Sequence, residues 1–106
     1  MSLAARPTTT PAPRAWTFLT NHAHVLLALA REPTARLRDV ATSVGITERA
    51  AQAIVADLEA AGYLHRERVG RRNEYTINTA GSFRHPAEAD HRIGELITLF
   101  TGTQET

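Results

Sequence analysis

Two glycines, Gly45 and Gly62, constrain the fold of this chain most, because each follows an amphipathic stretch of helical period. In the first stretch, about Leu37–Val44, apolar residues repeat with helical spacing. Gly45 follows this stretch directly, at the position where many helices end with a glycine in the left-handed conformation. Thr47 is a favourable N-cap for the second stretch, which runs to about Ala61. Two short helices joined by a turn that contains glycine predict a helix-turn-helix motif.

One further helix is predicted on each side of this motif. The first begins within residues 17–21 and ends near Arg31, because Pro33 disfavours helical geometry in the residue before it. The last begins at Pro86 and ends near residue 101, since proline is tolerated at a first helical position. Residues 1–15 contain three of the five prolines and predict a flexible leader, so the domain is expected to cover residues 16–106.

A β-hairpin is predicted between the motif and the last helix. Tyr63–Val69 and Glu74–Asn78 are rich in β-branched, aromatic and long side chains, and residues 70–73 have the composition of a turn. Residues 62–73 carry four arginines and one glutamate, a local net charge of +3, whereas the whole chain has a net charge of +1. Any affinity for nucleic acid must therefore come from this local concentration of charge.

Length and composition exclude several classes of protein. A chain of 106 residues with 42% hydrophobic and 22% charged residues fits one globular domain. The absence of cysteine excludes disulfides and thiolate metal sites. No apolar run reaches the length of a membrane span, and no signal-peptide core is present, so a cytoplasmic location is expected, on the nucleoid when the protein is bound to DNA. No nucleophile elbow, P-loop, dinucleotide fingerprint or zinc-protease motif occurs, and we expect neither an enzyme nor a cofactor.

The order of these elements resembles a winged-helix DNA-binding domain. The segment Gly45–Ile77 is similar to the core of bacterial MarR- and ArsR-type regulators, in which a turn glycine, a recognition helix, a Leu…Gly-aromatic-Leu exit and a GR-containing wing recur. The resemblance implies a mainly α fold with a small β-hairpin, a winged helix-turn-helix with N- and C-terminal dimerisation helices. It also implies a homodimeric, sequence-specific transcriptional regulator, more often a repressor, that binds double-stranded DNA at an inverted repeat.

The outward face of the second helix of the motif is the candidate for reading bases in the major groove. Arginine pairs with guanine and glutamine with adenine there, and small side chains allow close approach to thymine methyl groups. The alternative is an ordinary solvent-facing surface. The candidate contacts are Thr47, Arg49, Ala50, Gln52 and Ala53.

The hairpin is the candidate for a wing on the minor groove. Arg71 and Arg72 are predicted to enter that groove, while Arg66 and Arg68 address phosphates beside Asn73. The alternative is that these arginines are a group of charged residues at a hairpin tip that contact only solvent.

Apolar residues at both ends of the domain are predicted to form a two-fold interface. A small-molecule effector is possible at such an interface, but no residue set identifies its site. The candidate interface residues are Trp16, Leu19, Ile93, Leu96, Ile97 and Phe100.

Two alternatives remain open. Acidic residues on the recognition helix, Glu48 and Asp57 among them, are unfavourable beside phosphates and allow a winged-helix protein-interaction module with little or no DNA binding. A weaker alternative is a metal site of nitrogen and oxygen ligands built on His85 and His91; we expect no bound metal.

Overall fold

The computed structural model describes residues 16–102 and confirms a mainly helical fold with one small hairpin. The predicted leader, residues 1–15, lies outside the described residues, as do residues 103–106. The described part comprises α1 (Asn21–Arg31), α2 (Leu37–Val44), α3 (Glu48–Ala60), β1 (Leu64–Val69), β2 (Arg72–Ile77), a 3-10 turn (Pro86–Glu88) and α4 (Ile93–Thr101).

The predicted helix-turn-helix motif is confirmed by its local geometry. Gly45 has φ 90°, and its N–H donates to the Ala41 carbonyl, which ends α2 in the left-handed conformation. Two residues later, the Thr47 hydroxyl accepts from the Ala50 N–H and begins α3. The turn between the helices is therefore specified by the residues at its two ends.

The hairpin turn is tighter than the sequence predicted. The antiparallel register runs from Leu64 opposite Ile77 to Val69 opposite Arg72, so Arg72 and Asn73 belong to β2 and not to the turn. Gly70, at φ 65°, allows a two-residue connection whose twist matches that of the strands, and this geometry extends the ladder.

The last helix begins later than predicted. Pro86–Glu88 forms only a 3-10 turn, and α4 begins at Ile93. An isolated bridge pairs Ser82 with Arg92, and the Phe83 N–H donates to the His91 carbonyl at 3.2 Å, so the residues between them form a closed loop. The start of α4 follows at once, and the Glu95 carboxylate caps it by accepting from the Arg92 N–H at 3.1 Å.

One hydrophobic core is shared by all the helices and the hairpin. Val25 and Leu29 of α1 and Val55 of α3 are the largest fully buried side chains, and Tyr75 of β2 and Ile93 of α4 close the core from the other sides. Within residues 16–102, none of the helices has the length and apolar character needed to cross a membrane. The arrangement leaves the outer face of α3 and the hairpin on the surface.

Candidate nucleic-acid interface

The third helix buries one face and exposes the other. Its inward stripe consists of Ala51, Ile54, Val55 and Leu58. On the opposite face, Arg49, Gln52 and Ala53 are exposed, and Ala50 is half-buried beneath the Thr47 cap. The structure thus places the candidate base-reading residues on one accessible surface of α3.

The second strand of the wing is fastened to the turn between α1 and α2. The Tyr75 N–H donates to the Pro33 carbonyl at 2.9 Å, and the Arg72 Nη1 donates to the Thr34 carbonyl at 3.1 Å. The guanidinium of Arg72 therefore has a protein partner, although the sequence predicted that it enters the minor groove.

The other wing arginines differ in how they are held. Arg66 Nε lies 3.2 Å from Glu59 Oε2 of α3, and Arg68 Nε donates to the Gly70 carbonyl at 3.3 Å. Among residues 16–102, Arg71 makes no hydrogen bond or ion pair, and it is exposed at the turn. Arg71 is the wing cation that needs to break no contact in order to bind a ligand.

The third helix, α3, and the hairpin border a common cleft of about 540 Å³. Gln52 contributes from α3 and Arg71 from the wing, so the cleft joins the two candidate DNA-binding elements on one side of the molecule. Arg49 and Arg68 do not line it. Arg36 lines the cleft, although it was not among the predicted contacts. The signal available in the sequence was a basic residue directly before α2. The cleft is lined by Thr34, Ala35, Arg36, Leu37, Glu48, Gln52, Arg66, Arg71, Arg72, Asn73 and Tyr75.

The candidate dimer residues divide into exposed and buried groups. Trp16 is 70% exposed and Phe100 45% exposed, whereas Ile93 is only 6% exposed and packs in the core. Leu19 and Leu96 are half-buried, and Ile97 packs against the core. Ile93 thus has little surface left for a partner, because it occupies the first turn of α4 directly above the core.

Two further apolar side chains are exposed: Phe18, which lies between the candidates Trp16 and Leu19, and Leu99, which was not predicted. Phe18 is 90% exposed and packs edge to face against Trp16 with ring centroids 4.9 Å apart, while Leu99 is 72% exposed. The exposure of Leu99 was not evident from periodicity, because Leu99 lies beside, and not on, the predicted apolar stripe of the last helix.

The two histidines of the possible metal site, His85 and His91, each lie near a different carboxylate. His91 Nδ1 lies 2.8 Å from Glu95 Oε1, and His85 Nδ1 lies 4.0 Å from Glu88. The hydrogen bond to Glu95 raises the pKa of His91, and the Arg92 N–H lowers the pKa of Glu95. Across residues 16–102, no three acidic or histidine side chains converge in a way that would hold a metal ion.

A second cleft of about 640 Å³ lies between α1, the end of α3 and α4. Its walls are mostly apolar and include Leu26, Leu58 and Phe83. The hydrogen-bonded pair of His22 and Asp57, with 2.8 Å between Nε2 and Oδ2, contributes polar groups to the same lining.

Comparison with known proteins places the fold in a family. The model of the MarR family matches residues 17–72, more than half of the chain. No curated protein sequence matches. Among solved structures, the chain is similar to the PcaV transcriptional regulator of Streptomyces coelicolor in complex with its natural ligand, with 22% identity and a TM-score of 0.49. That match covers 83% of this chain and 64% of the regulator, so the chain spans less than two thirds of its length.

Proposed function

The chain belongs to the MarR family, and from this premise we propose that it is a homodimeric transcriptional regulator, a repressor, that binds double-stranded DNA. The observation that carries the proposal is the common cleft, in which Gln52 of α3 and Arg71 of the wing lie on one side of the molecule. A winged helix that binds DNA requires its helix and its wing to reach the same duplex.

In this proposal α3 enters the major groove. Arg49 and Gln52 are exposed and have the donor geometry for guanine and adenine, respectively. Ala53 adds little bulk, so the helix approaches the bases closely. At its N-terminus, the N–H groups of the first turn carry partial positive charge, which suits a phosphate.

The wing makes the second contact. Arg71 lies at the turn, and its guanidinium has no partner within the described part of the chain, so we assign it to the minor groove. Insertion of an arginine into a narrow minor groove is favoured by the strong negative potential there.

We place the homodimer interface on exposed apolar side chains from two segments, Trp16 and Phe18 before α1 and Leu99 and Phe100 in α4. Burial of such side chains supplies about 1.5–3 kcal/mol each before ordering costs. We expect Leu99→Asp with Phe100→Ser to yield a monomer in sedimentation velocity, whereas Val69→Asp, at an exposed apolar position of the hairpin, leaves the dimer intact. An unchanged dimer in the first variant would place the interface elsewhere.

For a small-molecule effector, we propose the apolar cleft between α1, α3 and α4. Its size and mostly apolar lining with a few polar groups are typical of small-molecule sites. A compound that binds there is expected to raise the unfolding temperature of the wild type, and Ala23→Trp, which adds bulk at a half-buried position of the lining, should abolish the shift. Equal shifts in both proteins would exclude this cleft.

The proposed function is tested by selection of genomic fragments on the immobilised protein, followed by fluorescence anisotropy on the selected duplexes. We expect an inverted repeat with half-sites about 34–36 Å apart, and loss of base preference at one position in each half-site for Arg49→Ala. Binding of all duplexes with equal affinity would contradict sequence-specific regulation. No binding at low salt would instead favour the protein-interaction module.

A further inference from the structure

We propose that Arg66 and Glu59 form a strut that fixes the orientation of the wing relative to the recognition helix, so that Arg66 positions the wing and does not bind a phosphate. The inference rests on the proposed function. It differs from the sequence-based expectation, which assigned Arg66 to the DNA backbone.

The contact between the two side chains is made at two points. Arg66 Nε lies 3.2 Å from Glu59 Oε2, and Arg66 Nη2 donates to Glu59 Oε1 at 3.3 Å. Both oxygens of the carboxylate therefore meet the planar guanidinium, an arrangement that fixes direction as well as distance. The two groups are in direct contact, with the Glu59 side chain 27% exposed and that of Arg66 42% exposed.

The position of Arg66 on β1 allows this contact to attach the strand to α3. Arg66 stands opposite Tyr75, which is buried, so this pair lies on the strand face that meets the helices. On β2, Tyr75 and Arg72 are already held by the carbonyls of Pro33 and Thr34. Leu64 anchors the start of β1 in the core, and Arg66 attaches the strand to α3 further out; without Arg66 the outer part of the wing is held to the rest of the fold through β2 alone.

The charges favour the same assignment. Near a phosphate backbone, Glu59 is repulsive unless its charge is neutralised, and Arg66 neutralises it at contact distance. Arg66 would have to leave this carboxylate in order to bind a phosphate. Arg71 has no such competing contact among the described residues, so binding through Arg71 costs less.

The first test compares two variants that each remove one negative charge. Glu59→Ala removes the strut, whereas Glu74→Ala removes a carboxylate from the exposed strand β2 and leaves the strut in place. We expect Glu59→Ala to weaken binding to a selected duplex about threefold to tenfold, because the wing must then be ordered on binding. Glu74→Ala should leave the affinity equal or slightly higher. Tighter binding by Glu59→Ala as well would show that the carboxylate only competes with DNA for Arg66, and would overturn the proposal.

The second test reverses the pair. Glu59→Arg and Arg66→Glu should each weaken DNA binding, and the double variant should restore the affinity to within about threefold, because the contact is remade in the opposite sense. If Arg66 bound a phosphate, a glutamate at that position would repel it, and the double variant would remain as weak as Arg66→Glu.

A measurement without DNA separates this inference from the proposed function. The chain contains no cysteine, so spin labels attach only at Val69→Cys on the wing and Thr98→Cys on α4, both exposed positions. We expect a narrow distance distribution with the native pair, a broad one with Glu59→Ala, and a narrow one again with the reversed pair. Equal widths in all three would overturn the strut even if the protein binds DNA. Absence of DNA binding by the wild type would overturn the proposed function and the role of the strut in DNA binding. The widths of the distance distributions would still show whether the pair of Arg66 and Glu59 orients the wing.

Discussion

The backbone N–H of Tyr75 donates to the carbonyl of Pro33 at 2.9 Å, which joins the second wing strand to the turn after α1. Tyr75 is 4% exposed, so this hydrogen bond lies next to the core and is shielded from water. Pro33 therefore has two structural roles: it ends the first helix and accepts a hydrogen bond from the wing. The position of the wing follows from the position of this turn.

The two threonine caps should differ in their effect on DNA binding. Thr47→Ala removes the acceptor of the Ala50 N–H, and Thr20→Ala removes that of the Ala23 N–H. Each variant should lower the free energy of unfolding by about 1 kcal/mol in urea titrations, as the loss of an N-cap does. Only Thr47→Ala should also weaken DNA binding, because α3, and not α1, is proposed to contact the duplex. Equal DNA affinities would indicate that the start of α3 lies away from the DNA.

Two glutamates oppose each other across the hairpin. Glu67 of β1 pairs in register with Glu74 of β2, and like charges directly opposite destabilise a hairpin. Glu74→Lys should therefore raise the free energy of unfolding by about 0.5 kcal/mol, measured by chemical denaturation. In a Glu67→Gln background the same substitution should yield a smaller gain. A gain of equal size in both backgrounds would show that the glutamate pair is not its cause.

The start of α4 should show a pH-dependent stability. The pKa of His91 is raised by its hydrogen bond to Glu95, so its contribution is complete below the ordinary value of 6.5 and is lost as the pH rises through the raised pKa. The pKa of Glu95 is lowered by the Arg92 N–H, so its contribution is present above 4.5 and is lost as the pH falls through the lowered pKa.

The pair is therefore strongest between about pH 4.5 and 6.5, where both groups are charged in the folded state. The unfolding temperature of the wild type should exceed that of His91→Gln by the largest margin in this range and by less at pH 8. His85→Gln is the matched control, since its contact with Glu88 is 4.0 Å long. A margin that grows toward pH 8 would contradict the account.

The parts of the fold with strong local signals were predictable from the sequence. Gly45 and Thr47 end one helix and begin the next through contacts within a few residues, so the helix-turn-helix motif was located closely. The start of α4 was misplaced because Pro86 is itself a local helix signal. The bridge between Ser82 and Arg92 prevails over that signal, and a pairing ten residues apart leaves no periodic trace in the sequence.

The partners of the wing arginines were not predictable for a similar reason. The contact from Arg72 to the Thr34 carbonyl joins residues 38 positions apart, and the exposed partner of Arg66 is one of several acidic residues on α3. A cluster of arginines in the sequence indicates that a surface is basic. It does not indicate which guanidinium groups are engaged by the protein and which remain available to a ligand.

The most direct test of DNA binding by this cleft is the salt dependence of affinity in the wild type and in two arginine variants. Arg71→Ala removes the wing cation at the turn, and the control Arg84→Ala removes an equal charge from the lining of the other cleft. The logarithm of the binding constant should fall linearly with the logarithm of salt concentration, and Arg71→Ala should make the slope shallower by about 0.9 per protomer. Arg84→Ala should leave the slope unchanged. Equal slopes for the wild type and Arg71→Ala, or a shallower slope for Arg84→Ala alone, would contradict the account.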